Sequence, residues 1–144
     1  MFVSSLTDSG ATPALVSTLS FNHQRLKMLA ENIANYGTPH YHTKQLDTRA
    51  FQKALRQALD ERGADTGKPF AVRSGREVAT DEHGGLHVTP SAAPVRNILF
   101  HDDTNMSIER QMADLAETGM TQELVTTLLI GRIDSFAKAI RGTM

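Results

Sequence analysis

Cysteine is absent from this sequence of 144 residues, which excludes a disulfide, a thiolate zinc site and a thiol nucleophile. That suits an oxidising compartment without requiring one. Long apolar runs are missing too: none approaches the roughly 18 residues of a membrane-spanning helix. Met1 to Asp8 lack the basic and apolar regions of a cleaved secretory signal, which by itself points to the cytoplasm. Charge of one sign is not in excess, with fifteen basic residues against sixteen acidic ones. The balance holds locally as well: two against two before His40, nine against nine from His40 to Thr104, four against five afterwards. A nucleic-acid binder concentrates Lys and Arg on one face or arm, so no nucleic-acid partner is expected.

Signatures of catalysis are equally scarce. Gly84-Gly85 is an isolated pair, with no Gly-x-Gly-x-x-Gly or phosphate loop around it. Ser74 and Ser91 lack a Gly-x-Ser-x-Gly context. Six histidines invite a metal reading, above all His40 and His42 beside Asp47, and His101 beside Asp102 and Asp103. They are scattered over loops without helical His spacing, so solvated histidines are the better reading. The expectation is a non-enzyme without cofactor, metal or small-molecule substrate.

What the sequence does contain is helical periodicity. Leu15, Leu19, Asn22, Leu26, Leu29, Ile33 and Tyr36 are spaced alternately four and three apart, which lines them into one stripe of an α-helix. Thr12 or Ser9 can cap this helix, with Pro13 in its first turn, and Gly37 and Pro39 stop it near Asn35. Asn22 is the polar member of the stripe: it either fixes register or reaches water from the seam's edge. Phe21 and Met28, with Ala14 one heptad earlier, lie on a different face. A helix burying one stripe within its own subunit has no use for a second, so these two are candidates for contacts between subunits.

Thr48 to Arg62 reads as a shorter amphipathic helix ended by Gly63, with Phe51, Leu55, Ala58 and Leu59 on its apolar side. From Ala64 to Thr104 the chain is rich in Gly, Pro, Asp and Ser. Arg76–Thr80 and Leu86–Thr89, around Asp81 to Gly85, fit a small hairpin as well as a mobile loop. A last helix begins near Asn105 or Ser107, and Ser107 can cap it. Met112, Leu115, Val125, Leu129, Ile133, Phe136 and Ile140 mark its apolar face, widened by Met120, Leu124 and Leu128. Between Leu115 and Val125 the face is poor, with Thr118 and Gln122 in apolar slots. Gly119 and Gly131 each cost about 1 kcal/mol against Ala in a helix interior. Such a helix orders fully only when packed.

The segment Asn32-Ile33-Ala34-Asn35, followed by Thr38-Pro39, Tyr41 and Lys44, resembles the Asn-x-Ala-Asn-x-x-Thr-Pro-Gly-Tyr segment of the flagellar axial proteins, the rod, hook and hook-associated subunits. The other end of the chain is similar to the C-terminal segment of the same family, through Ile108-Glu109, Met112-Ala113, Leu115-Ala116-Glu117, Leu128-Leu129, Gly131-Arg132 and Ala139-Ile140-Arg141-Gly142. The likeness covers roughly half the chain, at both ends and in order, and the short rod subunits are nearest in length. His40 departs from it, standing where the family has glycine; a positive φ there strains the histidine.

The resemblance implies a structural subunit of the rod of the flagellar basal body, in the periplasm, exported by the flagellar type III apparatus without cleavage. Its partners would be further copies of itself, neighbouring rod proteins and the export apparatus. Two Phe-x-x-x-Leu segments, Phe2–Leu6 and Phe51–Leu55, match the permissive export element of such substrates, although Phe51 fits a core-facing helix better. The expected fold is mainly α, with long N- and C-terminal helices paired as an antiparallel coiled coil. A short third helix and a partly ordered middle segment complete it. Residues 1–41 form the N-terminal helix and turn, 42–104 the variable middle, and 105–144 the C-terminal helix. The competing class is a soluble helical adaptor or chaperone that binds an amphipathic partner helix.

Overall fold

A computed structural model describes residues 10–63, 68, 70–81, 85–93 and 107–142. Three helices dominate the described residues: α1 (Thr12–Ala34), α2 (Thr48–Arg62) and α3 (Ile108–Arg141). Four short strands join them, β1 (Lys44–Gln45), β2 (Val78–Thr80), β3 (Leu86–Val88) and β4 (Ser91–Ala92).

Local chemistry sets the ends of the helices. Pro13 sits in the first turn of α1, where its missing N–H costs nothing. At the other end the Glu31 carbonyl accepts both the Asn35 N–H, at 3.1 Å, and the Asn35 side-chain amide, at 2.8 Å. The Asp47 carboxylate accepts from the Ala50 N–H at 3.0 Å and caps α2. Gly63 ends that helix with φ of 56°. Ser107 caps α3 by accepting from the Arg110 N–H at 3.4 Å. Val78–Thr80 and Leu86–Val88 pair antiparallel in the expected hairpin, with Ala79 opposite His87. The pairing of β1 with β4, Lys44 opposite Ala92, has no sequence signal. Glu77 ties this pair to the hairpin, since its carboxylate accepts from the Asp47 N–H at 2.6 Å and from the Ser91 hydroxyl.

Helices α1 and α3 lie side by side. Asn32, near the end of α1, bonds Gln111, near the start of α3. Thr12, at the start of α1, accepts from Arg132 Nε at 3.0 Å near the other end of α3. The two helices therefore run in opposite directions. Of the stripe expected on α1, Asn22 and Leu29 are buried, Leu15, Leu19, Leu26 and Ile33 are partly buried, and Tyr36 is exposed.

Two expectations are corrected. Phe21 and Met28 are not free for a neighbouring subunit: Phe21 is only 1% exposed, and Met28 is buried beside it. They form the core with Leu29, Leu46, Phe51, Ala58, Val72 and Val78. The Phe21 ring stacks on Phe51 with centroids 4.0 Å apart. The second stripe of α1 is taken by α2 and the small strands, so α1 buries two faces within one chain. On α3, the partly or fully buried positions Gln111, Leu115, Thr118, Gln122, Val125, Leu129, Arg132 and Phe136 repeat four and three apart. Ile133 and Ile140 are off this seam, 55% and 73% exposed. Thr118 can occupy an apolar slot at 1% exposure because its hydroxyl donates to the Asp114 carbonyl at 2.6 Å within the helix.

Candidate functional site

Three of the residues that carried the resemblance, Asn32, Tyr41 and Lys44, meet at one side-chain amide. Asn32 is fully buried and uses its whole hydrogen-bonding capacity. Its Oδ1 accepts from the Lys44 N–H and from the Tyr41 hydroxyl, both at 3.0 Å. Its Nδ2 donates to the Lys44 carbonyl at 2.8 Å and to Gln111 Oε1 at 3.2 Å. One amide thus joins the end of α1, the turn behind it, strand β1 and the start of α3. A shorter or charged side chain cannot reach or satisfy all four partners.

The turn is built by the other motif residues. The Thr38 N–H donates to the Asn35 carbonyl at 3.0 Å, and the Tyr41 N–H to the Thr38 carbonyl at 3.3 Å. The Thr38 hydroxyl reaches Asn35 Oδ1 at 3.4 Å. Ala34 ends α1, and Pro39 is exposed on the turn. His40 adopts φ of 60°, the left-handed region that a glycine would occupy without cost. Beside the turn, Lys44 Nζ contacts Glu31 Oε2 at 3.0 Å. The Lys44 hydrogen bond, then its charge, holds the Glu31 carboxyl below its ordinary pKa. The same bond and charge raise the Lys44 pKa.

The second feature is the outward surface of α3. Met112, Met120, Leu124, Leu128, Ile130, Ile133 and Ile140 are all exposed. Most of them lie alongside α1 but off the seam; only Ile133 and Ile140 lie past the described start of α1, because Arg132 is already level with Thr12. A groove of about 490 Å³ opens there between Ala11 and Leu15 on one side and Leu128, Gly131, Arg132, Ser135 and Phe136 on the other. Arg132 closes its inner end. Its guanidinium lies 5.5 Å from the Phe136 ring centroid while its Nε holds Thr12. Gly10 packs so close that an added Cβ would lie 2.2 Å from Arg132 Nη2, and its φ is 60°. The exposure of the apolar side chains on α3 makes this length of the helix the candidate contact surface.

Among the described residues, no group of three or more His, Asp or Glu side chains could hold a metal ion. His40 and His42 are exposed on the turn. His101, Asp102 and Asp103 lie outside the described residues, as do Phe2–Leu6. Phe51 is buried in the core, as its helix position implied. Among the described residues no helix is long and apolar enough to cross a membrane. Sequence reasoning missed the linking role of Gln111, Thr12 and Arg132. A polar residue recurring in a heptad slot was the signal available for Gln111 and Arg132. Compared with known proteins, the chain matches no family model, no curated protein and no solved structure.

Proposed function

We propose that this chain is a structural subunit of the proximal rod of the bacterial flagellar basal body, of the type of the rod protein FlgB. The observation that carries the reading is the Asn32 junction. The two ends of the sequence that resemble axial proteins are the two segments this side chain ties together. On this reading α1 and α3 form an antiparallel coiled coil, and the exposed apolar length of α3 packs against neighbouring subunits. Contacts of that kind, repeated between different faces of successive subunits without closing a ring, generate a helical filament. The chain would reach the periplasmic rod through the flagellar type III export apparatus, with copies of itself and adjacent rod proteins as partners.

The test uses the surface that the fold leaves open. Leu124→Asp and Ile133→Asp replace exposed side chains, so far-UV circular dichroism and melting should stay close to the parent protein. Swimming in soft agar and recovery of the chain in purified basal bodies should be lost. Normal swimming in both variants, or intact basal bodies after deletion of the gene, would overturn the proposal. A stable one-to-one complex between the folded monomer and an amphipathic helix would favour the adaptor class instead.

A further inference from the structure

The seam between α1 and α3 contains two polar atoms that are shielded from solvent and without a hydrogen-bond partner, Asn22 Nδ2 and Gln122 Oε1. One is a donor and the other an acceptor. The two contacts that pin the helices place these residues at the same level. Thr12 to Asn32 is 20 steps along α1, and Gln111 to Arg132 is 21 steps along α3. Asn22 is the midpoint of the first interval, and the midpoint of the second falls between Thr121 and Gln122. Both residues also occupy seam positions of their helices: Asn22 lies one heptad from buried Leu29, and Gln122 lies four residues from Thr118 and three from Val125, both buried.

We propose that Asn22 donates a hydrogen bond to Gln122 across the seam after a small rotamer adjustment, and that this bond locks the register of the two helices. A shift of three, four or seven residues along α3 would put Asn22 opposite Thr118, whose hydroxyl is already used within α3, or opposite Val125, Leu115 or Leu129. Both amides would then stay buried and unpaired, a penalty of roughly fivefold to a hundredfold each in the folding equilibrium constant. Leucine at both positions would bind the helices without choosing a register, as a single buried polar pair in a coiled-coil seam does choose one. The inference concerns the fold itself and holds whatever the chain assembles into.

A double-mutant cycle with Asn22→Leu, Gln122→Leu and the double variant tests it by urea unfolding of the full chain. Each single change should lower the folding equilibrium constant about tenfold, and the double variant should recover most of that loss. Additive effects, or a single change that raises stability, would overturn the proposal. A second measurement does not depend on the variants folding. In the unmodified protein, NMR should find the Asn22 side-chain amide protons exchanging slowly and close to the Gln122 side chain. Exchange at the rate of a free amide, with no such proximity, would refute the bond.

Discussion

Replacing Asn32 by aspartate changes one atom and tests the junction most directly. The new carboxyl keeps an oxygen for the Lys44 N–H and the Tyr41 hydroxyl, which Oδ1 now serves at 3.0 Å. It loses the donor that reaches the Lys44 carbonyl at 2.8 Å and Gln111 Oε1 at 3.2 Å. Gln111 is only partly buried and can turn towards water, so its loss is small. The Lys44 carbonyl cannot turn, and a buried acceptor left without its bond costs about 1–3 kcal/mol. Adding desolvation of the charge brings the total to about 2–4 kcal/mol at neutral pH. The penalty should depend on pH with a definite sign. Burial and two facing oxygens raise the folded-state pKa of an aspartate at this position. The stability of its protonated form is therefore fully present below the unfolded value and is lost as pH rises through the folded one. Urea unfolding at about pH 4 and about pH 8, followed by circular dichroism, should show the variant close to the parent in acid and much weaker in base. A loss below about 0.5 kcal/mol at both pH values would refute the junction as the tie between the two ends of the chain.

Phe21→Ala should destabilise the isolated monomer by about 3–5 kcal/mol, because it empties a core site and removes the stack on Phe51; an unchanged urea midpoint would return Phe21 to the surface. His40→Gly relieves a left-handed strain of about 1–2 kcal/mol but adds unfolded-state entropy worth about 0.4–1 kcal/mol, so a net gain of about 0.5–1 kcal/mol in urea unfolding is expected. Gly119→Ala meets no heavy atom within 4 Å and should stabilise α3 by up to about 1 kcal/mol, with a raised melting temperature as the readout. Lys44 lowers the Glu31 pKa, so this pair's contribution is present above the unfolded Glu value and is lost as pH falls through the folded one. The raised Lys44 pKa works at the other limit, where the contribution disappears as pH rises through the folded value. NMR titration of the Glu31 carboxyl should return towards its ordinary value in Lys44→Gln; identical curves would discount the pair.

Periodicity and caps made the helices legible before any coordinates. Pro13 in a first turn, Ser107 as a cap and Gly63 as a stop act within a few residues of themselves, so they marked the starts of α1 and α3 and the end of α2. The Asp47 cap emerged only with the structure, and Thr12 is the first residue of α1, behind an Ala11 that makes no side-chain cap. The left-handed site at His40 was expected only from the resemblance, because the axial-protein segment has glycine at that position; the backbone there takes φ of 60°. Which faces meet was not decided at that level. The pattern of α1 shows two apolar stripes but not their partners, and only the packed structure assigns Phe21 and Met28 to α2 and the strands rather than to a neighbour. On α3 hydropathy pointed rightly to Leu115, Val125, Leu129 and Phe136, but wrongly to Ile133 and Ile140 and away from Thr118. A threonine can satisfy its hydroxyl on its own helix and be buried, while an isoleucine is buried only where a partner helix reaches it. Ile133 and Ile140 sit off the seam that faces α1 and are exposed, whereas Phe136, on the seam at the same end of α3, is partly buried.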